Sequence, residues 1–251
     1  METNKNKSTA SAQEIARFTA MAEAWWDPNG KFKPLHQINP LRIGYIRDLI
    51  CQHHNRDPKG AKPLKGMNIL DIGCGGGLLC EPMRRLGAIV TGIDAGARNI
   101  TIAKLHAEQS SLDINYYHQL PENLAKTEGA FDIVLNMEVV EHVTDVDAFL
   151  QASASLVKPG GLMVLSTINR TLKAFVLAKV GAEYILRWLP IGTHDWRKFV
   201  KPSELVHGLE PYGMDITDIT GMVYNPLKDT WSLSEDLDVN YLVSAIKKIV
   251  T

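Results

Sequence analysis

The stretch NILDIGCGGGLLCEPMRRLG, residues 68–87, sets Gly73, Gly75, Gly76 and Gly77 between an apolar run ending at Asp71 and a helical pattern. A strand that breaks into glycines before a helix brings bare backbone up to a ligand at the carboxyl end of a sheet. A dinucleotide fingerprint starting at Gly73 requires Gly or Ala at position 78, and this chain carries Leu78 there. The branched side chain argues against a pyrophosphate on the helix N-terminus and for a ligand without phosphate; adenosine bound through a sulfonium amino acid fits. Asp94 closes the next apolar run, AIVTGID, where a carboxylate can accept both ribose hydroxyls in a charge-assisted contact. Glycines alone would also make a plain strand-helix turn, and an acid at this spacing counts against that reading.

A second set of chemical groups lies in NMEVVEHV. Glu138, Glu141 and His142 stand at i, i+3 and i+4 and share one face if the segment is helical. Two carboxylates and an imidazole suit a hard or borderline divalent cation. His194 and Asp195, in THDW, can form an acid-base pair and equally read as a capped surface turn. His36 is a weaker pocket candidate, the His53-His54 pair suits a helix C-terminus, and Cys74 and Cys80 read as packing residues.

These groups need a frame. Apolar runs at Met67–Leu70, Ala88–Ile93, Ile114–Tyr117, Phe131–Leu135 and Leu162–Thr167 alternate with helical patterns over residues 77–86, 97–109 and about 145–157, with Gly87 as a left-handed stop. Such alternation builds a parallel, doubly wound α/β sheet with helices on both faces. A helix starts at Pro202, and MDITDITGMVYNP and VNYLVSAIK then follow without a helix between them, predicting an antiparallel hairpin at one sheet edge. Ahead of the sheet come a polar, disordered stretch over residues 1–12, a helix from Gln13 to Trp26, and a second helix opened by Asn39-Pro40. The linker NRDPKGAKPLKG closes this N-terminal lid, residues 13–66, before the main domain, residues 67–251.

Composition narrows the function classes. Lys plus Arg is 27 against 28 for Asp plus Glu, a net charge of -1, so no basic surplus argues for nucleic acid. Three cysteines without C-x-x-C spacing fit neither a disulfide framework nor a zinc site, and point to a reducing cytosol. The segment TLKAFVLAKVGAEYILRWL, residues 171–189, gathers Lys173, Lys179, Glu183 and Arg187 into one stripe and is otherwise apolar. That pattern excludes a comfortable transmembrane span and leaves two readings, a helix buried on most sides or one lying in a lipid interface.

LDIGCGGG, VTGID and LVKPGG together resemble the class I S-adenosylmethionine-dependent methyltransferases, and FKPLHQINPLRIGYI, EVVEHV, VGAEYIL and GTHDWRKFVKP resemble the bacterial ubiquinone-biosynthesis O-methyltransferases more closely still. The resemblance implies a Rossmann-like, seven-stranded, mostly parallel sheet and S-adenosyl-L-methionine held at Arg42, Gly73, Asp94 and Met137, with Asp71 and Gly75 in the same loop. Without it, Arg42 reads as an exposed helix charge. It also implies that Glu138, Glu141 and His142 bind magnesium and that, with His194, they act in catalysis; in related methyltransferases such a Glu-His pair shapes the acceptor pocket with no metal. The implied acceptors are polyprenylated phenols and quinols. The implied setting is cytoplasmic, on the inner-membrane surface through residues 171–189 and beside other enzymes of ubiquinone biosynthesis. Methylation of a soluble catechol, a noncatalytic ligand-binding scaffold and, weakened by Leu78, a nicotinamide dehydrogenase are the competing readings.

Overall fold

The computed structural model describes residues 23–127, 129–176 and 196–249. The expected disordered start, most of the Gln13–Trp26 helix, His194, Asp195 and the greater part of the 171–189 segment lie outside these residues.

Eight strands form one sheet: β1 Asn68–Ile72, β2 Ile89–Asp94, β3 Asn115–His118, β4 Phe131–Met137, β5 Val157–Ile168, β6 Met214–Asn225, β7 Thr230–Ser234 and β8 Asn240–Lys247. Their order is β3-β2-β1-β4-β5-β8-β6-β7, parallel from β3 to β5 and antiparallel beyond. The doubly wound core and the antiparallel C-terminal strands match expectation, with eight strands where seven were expected. The additional one is β7, whose Trp231 and Leu233 alternate with polar residues over too few positions to stand out from a turn. β6 and β7 make the edge hairpin, and β8 lies one strand further in, between β5 and β6.

The principal helices are α1 Lys33–His53, α2 Cys80–Arg85, α3 Ala97–Gln109, α4 Pro121–Leu124, α5 Val146–Ser155 and α6 Pro202–Leu209. One face of the sheet packs Ile69, Ile133 and Val164 against α1, α2 and α3; the other packs Leu70, Val134 and Met163 against α5 and α6. Helix α1 departs from the expected start at Asn39-Pro40. It begins at Lys33 with Pro34 in its first turn, and Pro40 lies inside it. Ile38, Arg42, Ile46 and Ile50 bury one continuous stripe, and that packing outweighs the hydrogen bond Pro40 cannot donate. Asn39 is not a cap; its side-chain amide donates to the Leu78 carbonyl at 3.1 Å and ties α1 to the glycine loop. Helix α2 is shorter than expected because Leu78 and Leu79 belong to the turn, and Gly87 ends it at φ 103°. Asp145 caps α5 by accepting the Ala148 N–H at 3.0 Å.

Candidate functional site

The carboxyl ends of β1, β2, β4 and β5 meet α1 at one edge of the sheet. After β1 the backbone turns left-handed at Gly73 and Gly75, with φ 73° and 53°. A side chain at Gly73 would lie 2.4 Å from Val139 Cγ2, so only glycine fits between the loop and the turn that follows β4. The Gly73 and Cys74 N–H groups both donate to the Ile93 carbonyl of β2, at 2.8 and 3.0 Å, which fixes the loop against its neighbour. Asp94, the last residue of β2, closes the arrangement. One carboxylate oxygen accepts the Gly75 N–H at 3.0 Å; the other accepts the Gly96 N–H at 2.7 Å and the Asn99 amide at 3.1 Å.

Asp71 lies beneath this loop. It is 3% exposed and accepts the Cys80 thiol at 3.2 Å, and burial, with the Asp94 charge adding to it, pushes its pKa up to about 7. Cys74 and Cys80 are buried free thiols, in keeping with packing.

The loop's open side carries two tryptophans. The indole of Trp25 lies where side chains at Gly75 or Gly76 would stand, and Trp26 Nε1 donates to the Gly76 carbonyl at 3.1 Å. Trp26 stacks on His106 with ring centroids 3.7 Å apart, and His106 Nδ1 meets the buried Glu81 carboxylate at 2.6 Å. His36 bonds the Trp25 carbonyl through Nε2 at 3.1 Å, so it secures this N-terminal strap. His53 reaches the Gly160 carbonyl at 2.9 Å, far along the chain from the glycine loop.

Across the edge, β4 ends at the half-buried Met137, and Glu138 adopts φ 56°. That left-handed residue breaks the chain direction, and only Val140–His142 forms a short 3₁₀ turn. Glu138, Glu141 and His142 are thus not one helical face. Glu138 is ion-paired with Arg42 and accepts the Ser166 hydroxyl at 2.8 Å. Glu141 is 4% exposed and accepts the Thr167 hydroxyl at 2.8 Å; burial, then the neighbouring Glu138, holds its pKa well above the carboxylate range. His142 is exposed. Among the described residues no three His, Cys, Asp or Glu side chains are grouped to hold a metal ion. Of the triplet that the resemblance assigns to magnesium, Glu138 serves the Arg42 guanidinium and Glu141 is sealed against Thr167, and no reaction step is routed through a metal.

Arg42, an exposed helix charge when read without the family resemblance, is only 4% exposed. Its Nε makes no hydrogen bond. The bare loop, the Asp94 carboxylate and this incompletely paired guanidinium supply contacts for a backbone-hugging amino acid, a ribose and a carboxylate, which fits an adenosyl sulfonium ligand. Ser166, Thr167 and the two tryptophans are additional to the residues the sequence singles out.

A methyltransferase-domain family model matches residues 44–219. The chain is 57% identical over 241 residues to the ubiquinone biosynthesis O-methyltransferase of Chelativorans sp. (strain BNC1), covering 96% of this chain and 95% of that one. It is 56% identical over 243 residues to the protein of the same name from Brucella ovis, covering 97% and 98%. Among solved structures, the magnesium protoporphyrin IX methyltransferase of Synechocystis PCC 6803 with bound SAH superposes with a TM-score of 0.64 at 20% identity, covering 93% of this chain and 95% of that one, a likeness of fold. A glycine loop, a ribose-type acid and near full-length identity converge on one conclusion: the chain belongs to the methyltransferase-domain family, within the group of ubiquinone biosynthesis O-methyltransferases.

Proposed function

We propose that this chain is an S-adenosylmethionine-dependent O-methyltransferase that methylates ring hydroxyls of polyprenylated dihydroxy aromatic intermediates at two steps of ubiquinone biosynthesis. The observation that carries the reading is the shared sheet edge: the Gly73–Gly75 loop and Asp94 stand on one side and the Arg42-Glu138-Ser166 group on the other. Groups suited to holding a methyl donor and a group suited to taking a proton thereby share one edge of the sheet.

The donor, when bound, supplies a methyl group on a sulfonium. The protein must then align an in-line displacement and accept the phenol proton. Arg42 holds the methionine carboxylate, the Gly73 and Gly75 backbone receives the amino-acid part, Asp94 takes the ribose and Met137 packs near the adenine. Glu138 takes the acceptor's hydroxyl proton. Glu141 stands beside it, with burial disfavouring its charged form. His142 on the rim, and His194, which lies outside the described residues, contact the acceptor.

The acceptor's prenyl tail resides in lipid, and the chain meets it as a peripheral protein on the cytoplasmic face of the inner membrane, beside other enzymes of the same biosynthesis. Leu172, 77% exposed, with the exposed Val176 and Trp196 flanking the 177–195 segment, supports that contact. Among the described residues no helix is long and apolar enough to cross a membrane.

The test is transfer of labelled methyl to a short-tailed dihydroxybenzene by the wild type and Glu138→Gln, each with and without chelator. We expect the variant to lose about 10²- to 10⁴-fold in turnover and chelator to leave the wild type unchanged. Full activity of Glu138→Gln would remove Glu138 as the base, and loss of activity in chelator would return Glu138, Glu141 and His142 to a metal.

A further inference from the structure

Among the described residues Arg42 is the only buried cationic side chain. A guanidinium carries five N–H donors and, once removed from water, requires acceptors for them. Arg42 has a carboxylate oxygen of Glu138, while its Nε is buried without a partner. Its coordination is incomplete on a side chain the fold has sealed in, and a second anionic oxygen would complete it.

Glu138 is held from two elements: Arg42 reaches it from α1, and β5 supplies the Ser166 hydroxyl at 2.8 Å while the Ser166 carbonyl accepts the Glu138 N–H at 3.0 Å. Withdrawal of Arg42 therefore leaves the carboxylate anchored by Ser166 and stripped of its counter-charge. Arg42 and the Ser166 hydroxyl both bond Glu138 Oε1, so the ion pair fixes the direction in which the carboxylate faces. The arginine's long side chain re-aims its planar fork without backbone movement.

We propose that Arg42 is a positioning residue that exchanges partners: it pairs with Glu138 while the donor site is empty and turns to the donor's carboxylate when the site fills, releasing Glu138 to the acceptor hydroxyl. The proposal rests on the donor-carboxylate role given to Arg42 above. Its consequence is an obligatory order, in which the proton acceptor is armed only after the methyl donor has arrived. Because Glu138 competes with the ligand for one guanidinium, removing the competitor must strengthen ligand binding, a direction opposite to that expected from damage to a site.

The experiment is calorimetric titration of wild type, Glu138→Gln and Glu138→Asp with S-adenosylhomocysteine and with its analogue lacking the carboxylate, after thermal melts establish that each variant is folded. Gln removes the charge; Asp keeps it on a shorter arm and tolerates the left-handed backbone at this position. Both variants should bind S-adenosylhomocysteine about three- to tenfold more tightly than wild type, with affinity for the carboxylate-free analogue unchanged. Unchanged or weaker binding in a folded variant overturns the exchange, as does equal tightening of both ligands. Wild type that fails to bind S-adenosylhomocysteine at all overturns the functional reading as well, so the two failures are distinct.

Discussion

At the scale of single residues, the site is built from groups whose environment changes their chemistry. Asp71 shows this most directly. Its carboxyl titrates in the folded protein at about 7 because burial penalises the charged form, whereas an unfolded aspartate titrates near 3.9. Between those values the native state binds more protons than the unfolded state, so this group's contribution to stability falls as pH rises from about 4 to about 7. Asp71→Asn abolishes that loss. Relative to wild type, the variant should gain about 2 kcal/mol between pH 5 and pH 8 in chemical denaturation; parallel pH curves for the two proteins would contradict the assignment. Glycine spacing and Asp94 were legible in the sequence because a bare loop and an acid at a strand end have few other uses. Ser166 and Thr167 were not, since their proximity to Glu138 and Glu141 follows from the β4–β5 register, in which Met137 pairs with Ser166. Read without the family resemblance Arg42 is an exposed charge, because a charge on a helix is ordinarily solvated, and its burial against Glu138 is a tertiary feature.

At the scale of elements, helix α3 agreed with its expected bounds, Ala97–Gln109, because Gly96 and the apolar positions Ile100, Ala103 and Ala107 mark it locally. The start of α1 and the existence of β7 depended on tertiary packing, which no local pattern records. The N-terminal strap is likewise a tertiary device: Trp26 stacks on His106, bonds the Gly76 carbonyl, and so presses Trp25 onto the glycine loop. Trp26→Ala removes a stacked pair of about 0.5–1.5 kcal/mol together with a hydrogen bond. Limited proteolysis followed by mass spectrometry should show cleavage between residues 23 and 36 accelerated about three- to tenfold, with the core fragment intact. Cleavage at the wild-type rate would mean that the strap is held elsewhere.

At the scale of the whole molecule, β6 is parallel to β5, so the β6–β7 hairpin tip lies at the same edge as the end of β5 and the turn at Leu172–Ala174. The proposed lipid contact therefore adjoins the sheet edge that carries the candidate site. Leu172→Glu should lower retention on sedimented liposomes containing anionic lipid while leaving the melting temperature within about 2 °C, since surface changes cost within about 0.5 kcal/mol. Retention equal to wild type would move the contact off this rim.

The interior place of β8 has its own outcome for biogenesis. Tyr241, Leu242, Val243 and Ala245 belong to the packed interiors on both sides of the sheet, yet in chain order they follow β5 and both strands of the edge hairpin. Until they emerge, β5 and β6 each present an unzipped margin, and the nascent polypeptide must wait for β8 before the gap is stitched. A chain cut before Asn240 would thus present an open, self-adhesive sheet, placing the arrival of β8 under quality control.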